Sequence, residues 1–398
     1  MRYFTKYKTH YSRMKTIQIT GLIILASIIC RCDHSPIQNA NETVKEQRMP
    51  GPPPFARVKS PEFNADGTIT FRIWAPKASE VTLQCAGLIG DQSDKMERFD
   101  EEFWRITVRP VRSGRFYYKF LIDGVQTPDP LNALTKGNSS VITVEGEETD
   151  FFTVRNVPHG VIHSHFYHNP TIEAVRSCRV YVPAEYHNHP GKKYPVLILF
   201  HGSGGTDESW FTEGKANVIL DNLIADSKAK AMIMVTPYGH TVEPGTHGWP
   251  FVEEQGDFVQ DFNEVLVPFL KATYQVSDEP KDWALAGFSM GGYHTLKIGL
   301  NNLEQYGNLG PFSWGGNREF LENNAPHVLE NPGLINKKLT SLFLACGRND
   351  FLFDNLEKMD SLLTSLSIDH TFYVIDGGHD MSSWRKFLYQ YAQIIFKD

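Results

Sequence analysis

The chain predicts an α/β fold, a mostly parallel sheet flanked by helices, preceded by a small β-sandwich. Three observations carry this prediction. From residue 194 onward, short apolar runs at 194–200, 283–286, 341–346 and 371–375 read as strands buried on both faces, separated by stretches of helical spacing. These runs lead into loops rich in glycine or acidic residues. Between about residues 53 and 146 the texture changes to alternating apolar positions, turn glycines and few helical runs, which is the pattern of a sandwich.

The elements follow in order. Basic residues precede Ile17-Gln-Ile-Thr-Gly-Leu-Ile-Ile-Leu-Ala-Ser-Ile-Ile-Cys, an apolar stretch too short for a comfortable bilayer span, so residues 1–32 resemble a bacterial secretory signal peptide. Met14-Lys15 makes a more usual start than Met1. Cys30 and Cys32 stand where a lipoprotein processing site would be, but Ile29 and Arg31 precede them where a small residue is usual, which leaves a lipid anchor to a bacterial membrane open. Export to the periplasm, to the outer membrane as a lipoprotein, or to the medium is the expectation. Residues 33–52 read as a linker, stiffened by Met49-Pro-Gly-Pro-Pro-Pro. The β-sandwich spans 53–146, residues 147–158 form the interdomain connection, and 159–398 hold the α/β domain; a length of 398 residues accommodates both. Beyond the leader only Cys85, Cys178 and Cys346 remain, an odd and small set from which no disulfide is expected. A net charge of -7 gives no electrostatic case for nucleic acid.

Residues 285–293, Leu-Ala-Gly-Phe-Ser-Met-Gly-Gly-Tyr, set a G-x-S-x-G pattern at the end of an apolar run and before a helical one. In such a strand-to-helix bend Gly287 and Gly291 let the two elements pass closely and Ser289 is displayed as a nucleophile. Five residues with three fixed arise by chance, so the partners must carry the inference. A serine needs a base, and the base an orienting acid. The strand at 341–346 runs into Gly-Arg-Asn-Asp and places Asp350 at its end; the strand at 371–375 runs into Asp-Gly-Gly-His-Asp and places His379 on the same edge. Asp354, Asp376 and Asp380 are rivals to Asp350, which could itself be a helix cap. The chain order Ser, Asp, His is that of an α/β-hydrolase triad. One oxyanion donor would be the N–H of Met290; the glycine-rich loop after the strand at 194–200 offers Gly202 or Ser203 as the second. That loop lacks the lysine and Ser/Thr of a phosphate-binding loop.

Several segments together, Arg179-Val-Tyr-Val-Pro-Ala-Glu-Tyr, Lys193-Tyr-Pro-Val-Leu-Ile-Leu-Phe-His-Gly-Ser-Gly-Gly, Gly287-Phe-Ser-Met-Gly-Gly, Cys346-Gly-Arg-Asn-Asp-Phe-Leu and Gly377-Gly-His-Asp with Trp384, resemble the feruloyl and acetylxylan esterases of carbohydrate esterase family 1, relatives of esterase D and enterochelin esterase. The resemblance covers about residues 159–398 and implies Ser289 as nucleophile, His379 as base and Asp350 as acid. Phe-Arg-Ile-Trp-Ala-Pro-Lys-Ala at 71–78, Tyr117-Tyr-Lys-Phe with Asp123-Gly, and Asp129-Pro-Leu-Asn resemble the immunoglobulin-like domain of carbohydrate-binding module family 48. Trp74, Trp104, Phe116 and Tyr118 could form a sugar platform there, although aromatics in strands more often build core.

The resemblance implies a serine esterase that needs no cofactor and acts on feruloyl or p-coumaroyl esters of arabinoxylan and its oligosaccharides. Trp210, Trp249 and Phe251 are the candidate walls of an aryl slot, though each could equally be core. An acetylxylan esterase and an enterochelin-type siderophore esterase stay open within the enzyme class, and a noncatalytic glycan-binding lipoprotein outside it. Histidines crowd one stretch, at 159, 163, 165 and 168 with 187 and 189 nearby, yet their spacing matches no known metal site, and none is expected.

Overall fold

A computed structural model describes residues 58–170, 173–241 and 254–397. The leader, both of its cysteines, the following linker, Trp249 and Phe251 lie outside the described residues.

The N-terminal region folds as two antiparallel sheets around one core. Glu62–Phe63, Ile69–Trp74, Phe103–Val108 and Glu97–Arg98 lie in that order in one sheet. Val81–Gln84, Gly114–Ile122, Ser139–Val144 and Thr135–Lys136 form the other, with Val125–Thr127 added beside Gly114–Ile122. Their period-two patterning points Phe71 and Ile73 from the first sheet against Leu83, Tyr118 and Phe120 from the second. Trp104, Phe116 and Tyr118 are core residues, the Trp104 indole donating to the Ala75 carbonyl at 3.0 Å, so of the four aromatics only Trp74 reaches solvent. Buried Asp129 accepts from Ser60 Oγ at 2.6 Å, Tyr118 Oη at 2.8 Å and the Leu131 amide at 2.9 Å, tying the domain's entry to its interior.

The α/β domain is built on one sheet of eight strands, in the spatial order Val161–Asn169, Ala174–Val182, Ile233–Pro237, Val196–Phe200, Trp283–Phe288, Asn308–Phe312, Ser341–Gly347 and Thr371–Ile375. Ala174–Val182 runs antiparallel to both of its neighbours, Val161–Asn169 and Ile233–Pro237; from Ile233–Pro237 to the far edge all six strands are parallel. The central strands are buried along their whole length because helices cover both faces, which is why they read as uninterrupted apolar runs. Phe262, Leu266, Leu270, Leu296 and Met359 pack on one face, and Ile219, Leu223, Trp384, Phe387 and Tyr391 on the other.

The interdomain connection at 147–158 contributes to the core. It holds the short helix Asp150–Phe152, and Phe152 joins the core with Trp384, Phe387 and Leu388. Arg385, itself 2% exposed, stacks over the Phe152 ring at 4.8 Å and donates from Nε and Nη2 to the Glu213 carbonyl at 3.0 and 2.9 Å. Ion pairs Lys136–Glu213 and Lys386–Glu148 complete the contact.

Candidate active site

The parallel strands end along one edge, and the predicted triad residues stand there. Trp283–Phe288 passes into the helix Met290–Leu300 through Ser289, which adopts φ 55° and ψ −119°. This positive-φ conformation is unfavourable for a side chain, at about 1–3 kcal/mol, and persists because neighbours hold it. The Ser289 N–H donates to Phe312 O on the adjacent strand at 2.9 Å, and Ser289 O accepts from the Gly292 amide at 2.9 Å. A Cβ on Gly287 would lie 2.8 Å from the Gly291 backbone, and one on Gly291 would lie 2.6 Å from Phe200 O, so both positions require glycine.

Asp350 follows Ser341–Gly347 and His379 follows Thr371–Ile375. His379 Nδ1 meets Asp350 Oδ1 at 3.0 Å and Oδ2 at 2.9 Å. Burial tends to raise the Asp350 carboxyl, but hydrogen bonds from His379, the Leu352 amide and Ser313 outweigh it and hold the group below its ordinary value. The rival acids are occupied elsewhere. Asp376 accepts from Asn349 at 3.0 Å, Asp380 caps the helix Met381–Ile394 by accepting from the Ser382 and Ser383 amides, and Asp354 sits in the first turn of Phe353–Ser365. Among the described residues no hydrogen bond joins His379 to Ser289 Oγ.

Trp384 links the pieces. Its ring stacks on Phe288, just before the serine, at 3.8 Å and 10°, meets His379 edge-on at 5.1 Å, and donates from Nε1 to Ser313 Oγ at 2.9 Å. Ser313 is fully buried at φ 49°. Sequence reasoning missed both Ser313 and the buried His201; the only available signal is that each directly follows a buried strand. His201 Nε2 accepts from the Gly239 amide at 2.8 Å, leaving Nδ1 to donate to Gly202 O at 2.7 Å. Burial pushes the His201 imidazole down to about 3, so it is neutral and braces the glycine-rich loop.

Met290 is the first residue of its helix, the position at which helix geometry offers the N–H no intrahelical acceptor. Gly202 lies against Phe288, whose ring a Cβ would approach to 2.4 Å, and Ser203 beside it is exposed. Trp210 is not a pocket wall: the helix Ser209–Thr212 turns it fully into the core, where its indole donates to Phe200 O at 2.9 Å. Phe351 instead stands at the site, 77% exposed, its ring 4.4 Å from that of His379. Three of the crowded histidines have hydrogen-bond partners. His159 pairs with buried Asp221 at 2.8 Å, and His163 and His165 share the Tyr274 hydroxyl.

Known proteins resemble this chain in sequence and in fold. The endo-1,4-beta-xylanase/feruloyl esterase of Xylanibacter ruminicola is 30% identical over 368 residues, which is 90% of this chain and 48% of that protein. The chain thus spans about half the length of that relative. A ferulic acid esterase structure from Anaeromyces mucronatus superposes with a TM-score of 0.53 at 24% identity, covering 62% of this chain and 94% of that one. The enterobactin esterase of Shigella flexneri superposes with a TM-score of 0.58 at 18% identity over 85% of this chain and 97% of that one, more than the α/β domain alone supplies. A family model described as "Putative esterase" matches residues 170–393, more than half of the chain, and the chain therefore belongs to this esterase family.

Proposed function

We propose that the protein is a serine esterase that releases hydroxycinnamoyl groups, feruloyl or p-coumaroyl, from xylan-type glycans through an acyl-enzyme. The observation that carries the reading is the bidentate Asp350–His379 contact on the sheet edge where Ser289 is held at positive φ. Ser289 Oγ attacks the ester carbonyl while His379 Nε2 takes its proton. The oxyanion is held by the Met290 amide and that of Gly202 or Ser203. His379 then protonates the departing sugar alcohol, and water repeats the sequence in reverse to free the acid. Asp350, ionised and bound to Nδ1, fixes the tautomer that leaves Nε2 free as base and stabilises the imidazolium.

An aryl acyl group is supported by a cavity of about 130 Å³ lined by Trp314, Phe320 and Leu352 together with Asn317 and Asn355. It adjoins the segments that carry Ser313 and Asp350 and offers aromatic walls with two amide side chains. The N-terminal sheets fit an immunoglobulin-like module that packs on the enzyme, and the leader fits an exported protein with or without a lipid anchor.

The test is release of ferulate, p-coumarate and acetate from arabinoxylan, run beside Ser289→Ala. Hydroxycinnamate release that falls by several powers of ten, on the order of 10⁵, in the variant supports the reading. Acetate alone would move it to an acetylxylan esterase, and no product from the wild type would overturn it.

A further inference from the structure

We propose that Phe351 forms the subsite for the alcohol half of the ester, its ring stacking on a sugar of the leaving group; the proposal rests on the esterase reading above. Phe351 is the most exposed large apolar side chain among the described residues, at 77%. Its display is rigid rather than incidental. Asp350 Oδ1 accepts from the Leu352 amide at 2.9 Å and Asp350 O from the Phe353 amide at 2.9 Å, so the turn that carries Phe351 is pinned to the same carboxylate that orients His379. Keeping a phenyl ring in water forgoes burial energy, and a fixed aromatic at a site mouth offers that energy to a ligand.

Chemistry selects which half of the substrate meets it. The acyl carbon is bonded to Ser289 through the first half-reaction, whereas the leaving oxygen must come to the imidazole to collect its proton. The alcohol therefore approaches His379, and Phe351 lies 4.4 Å from that imidazole between ring centroids. The cavity beside Trp314 remains available to the acyl group. A phenyl face carries negative electrostatic potential and attracts polarised C–H groups, which a pyranose or furanose presents on one of its faces. Phenylalanine offers no hydrogen bond, so the contact suits a sugar ring as a class rather than one hydroxyl pattern.

The experiment compares methyl ferulate with a feruloylated arabinoxylo-oligosaccharide, two substrates with one acyl group and different alcohols, using the full chain. In Phe351→Ala, kcat/KM for the glycosyl ester should fall about three- to tenfold while that for methyl ferulate stays within about twofold. Phe351→Tyr, which keeps a ring, should restore the glycosyl value. Equal losses on both esters would mean that Phe351 only shelters the base, and unchanged values on both would mean that it binds nothing; either result overturns the proposal. A wild type inactive on both esters would instead strike the esterase reading.

Discussion

The N-terminal sheets and the catalytic edge of the α/β sheet treat buried polar groups in opposite ways. In the N-terminal domain, Asp129 is buried but surrounded by donors, Ser60, Tyr118 and the Leu131 amide, and its own N–H reaches Ser140 Oγ at 2.8 Å. That network stitches the domain and leaves nothing over for a ligand. The α/β domain instead gathers strained serines at 289 and 313, the neutral His201, and a carboxylate aimed at one imidazole along a single edge. It also buries His294 among Phe200, Phe258 and Tyr293, with neither ring nitrogen hydrogen-bonded to a described residue. A fully satisfied buried network marks architecture, and a strained or asymmetric one marks chemistry.

The largest expected effect on that contrast comes from Asp129→Ala. Stripping the Ser60 and Tyr118 hydroxyls of their acceptor should cost about 3 kcal/mol, seen as an earlier transition in thermal unfolding, with kcat unchanged below it. A loss of kcat in the still-folded variant would break the division. Next comes acid. His201 is held near 3 and His294 well below 6.5, so the unfolded chain binds protons that the fold refuses as pH drops through 6.5. Their neutral forms are accommodated above that pH, and stability is lost as pH falls toward the folded values, with His201 alone contributing about 2 kcal/mol of loss at pH 5. Denaturant titrations at pH 7 and pH 5 check this, and equal midpoints would contradict it. The smallest is Ser313→Ala, which removes one donor from Asp350. About tenfold should be lost in kcat with little change in melting temperature. An unchanged kcat would leave Ser313 a packing residue.

Much of the architecture is legible in the sequence because parallel strands covered on both faces must be apolar throughout and must end in loops, and those ends carry Ser289, Asp350 and His379. Choosing among four aspartates is harder. Asp350, Asp354, Asp376 and Asp380 lie within thirty positions of one another in similar local contexts, and only packing shows Asp380 serving a helix end and Asp376 an asparagine. Trp210 misleads for a related reason: an aromatic near a glycine-rich loop looks the same in sequence whether its turn faces a cleft or the core. Phe351 escapes notice as a ligand contact because an apolar residue beside a strand end reads as core, and nothing local says that its turn points outward. His201 and Ser313 are single polar residues whose worth depends on partners at positions 239 and 384, far away in the chain.

Phe152 has a meaning for how such proteins are assembled over evolutionary time. Domains that recombine freely as cassettes meet through connectors that neither partner needs. Here the connector supplies a ring to the core of the downstream domain and a seat for Arg385, on the same helix that begins beside His379. An exchange that replaced everything upstream of residue 158 would remove Phe152 and leave a gap beneath that helix, so the connector belongs physically to the downstream domain whatever precedes it.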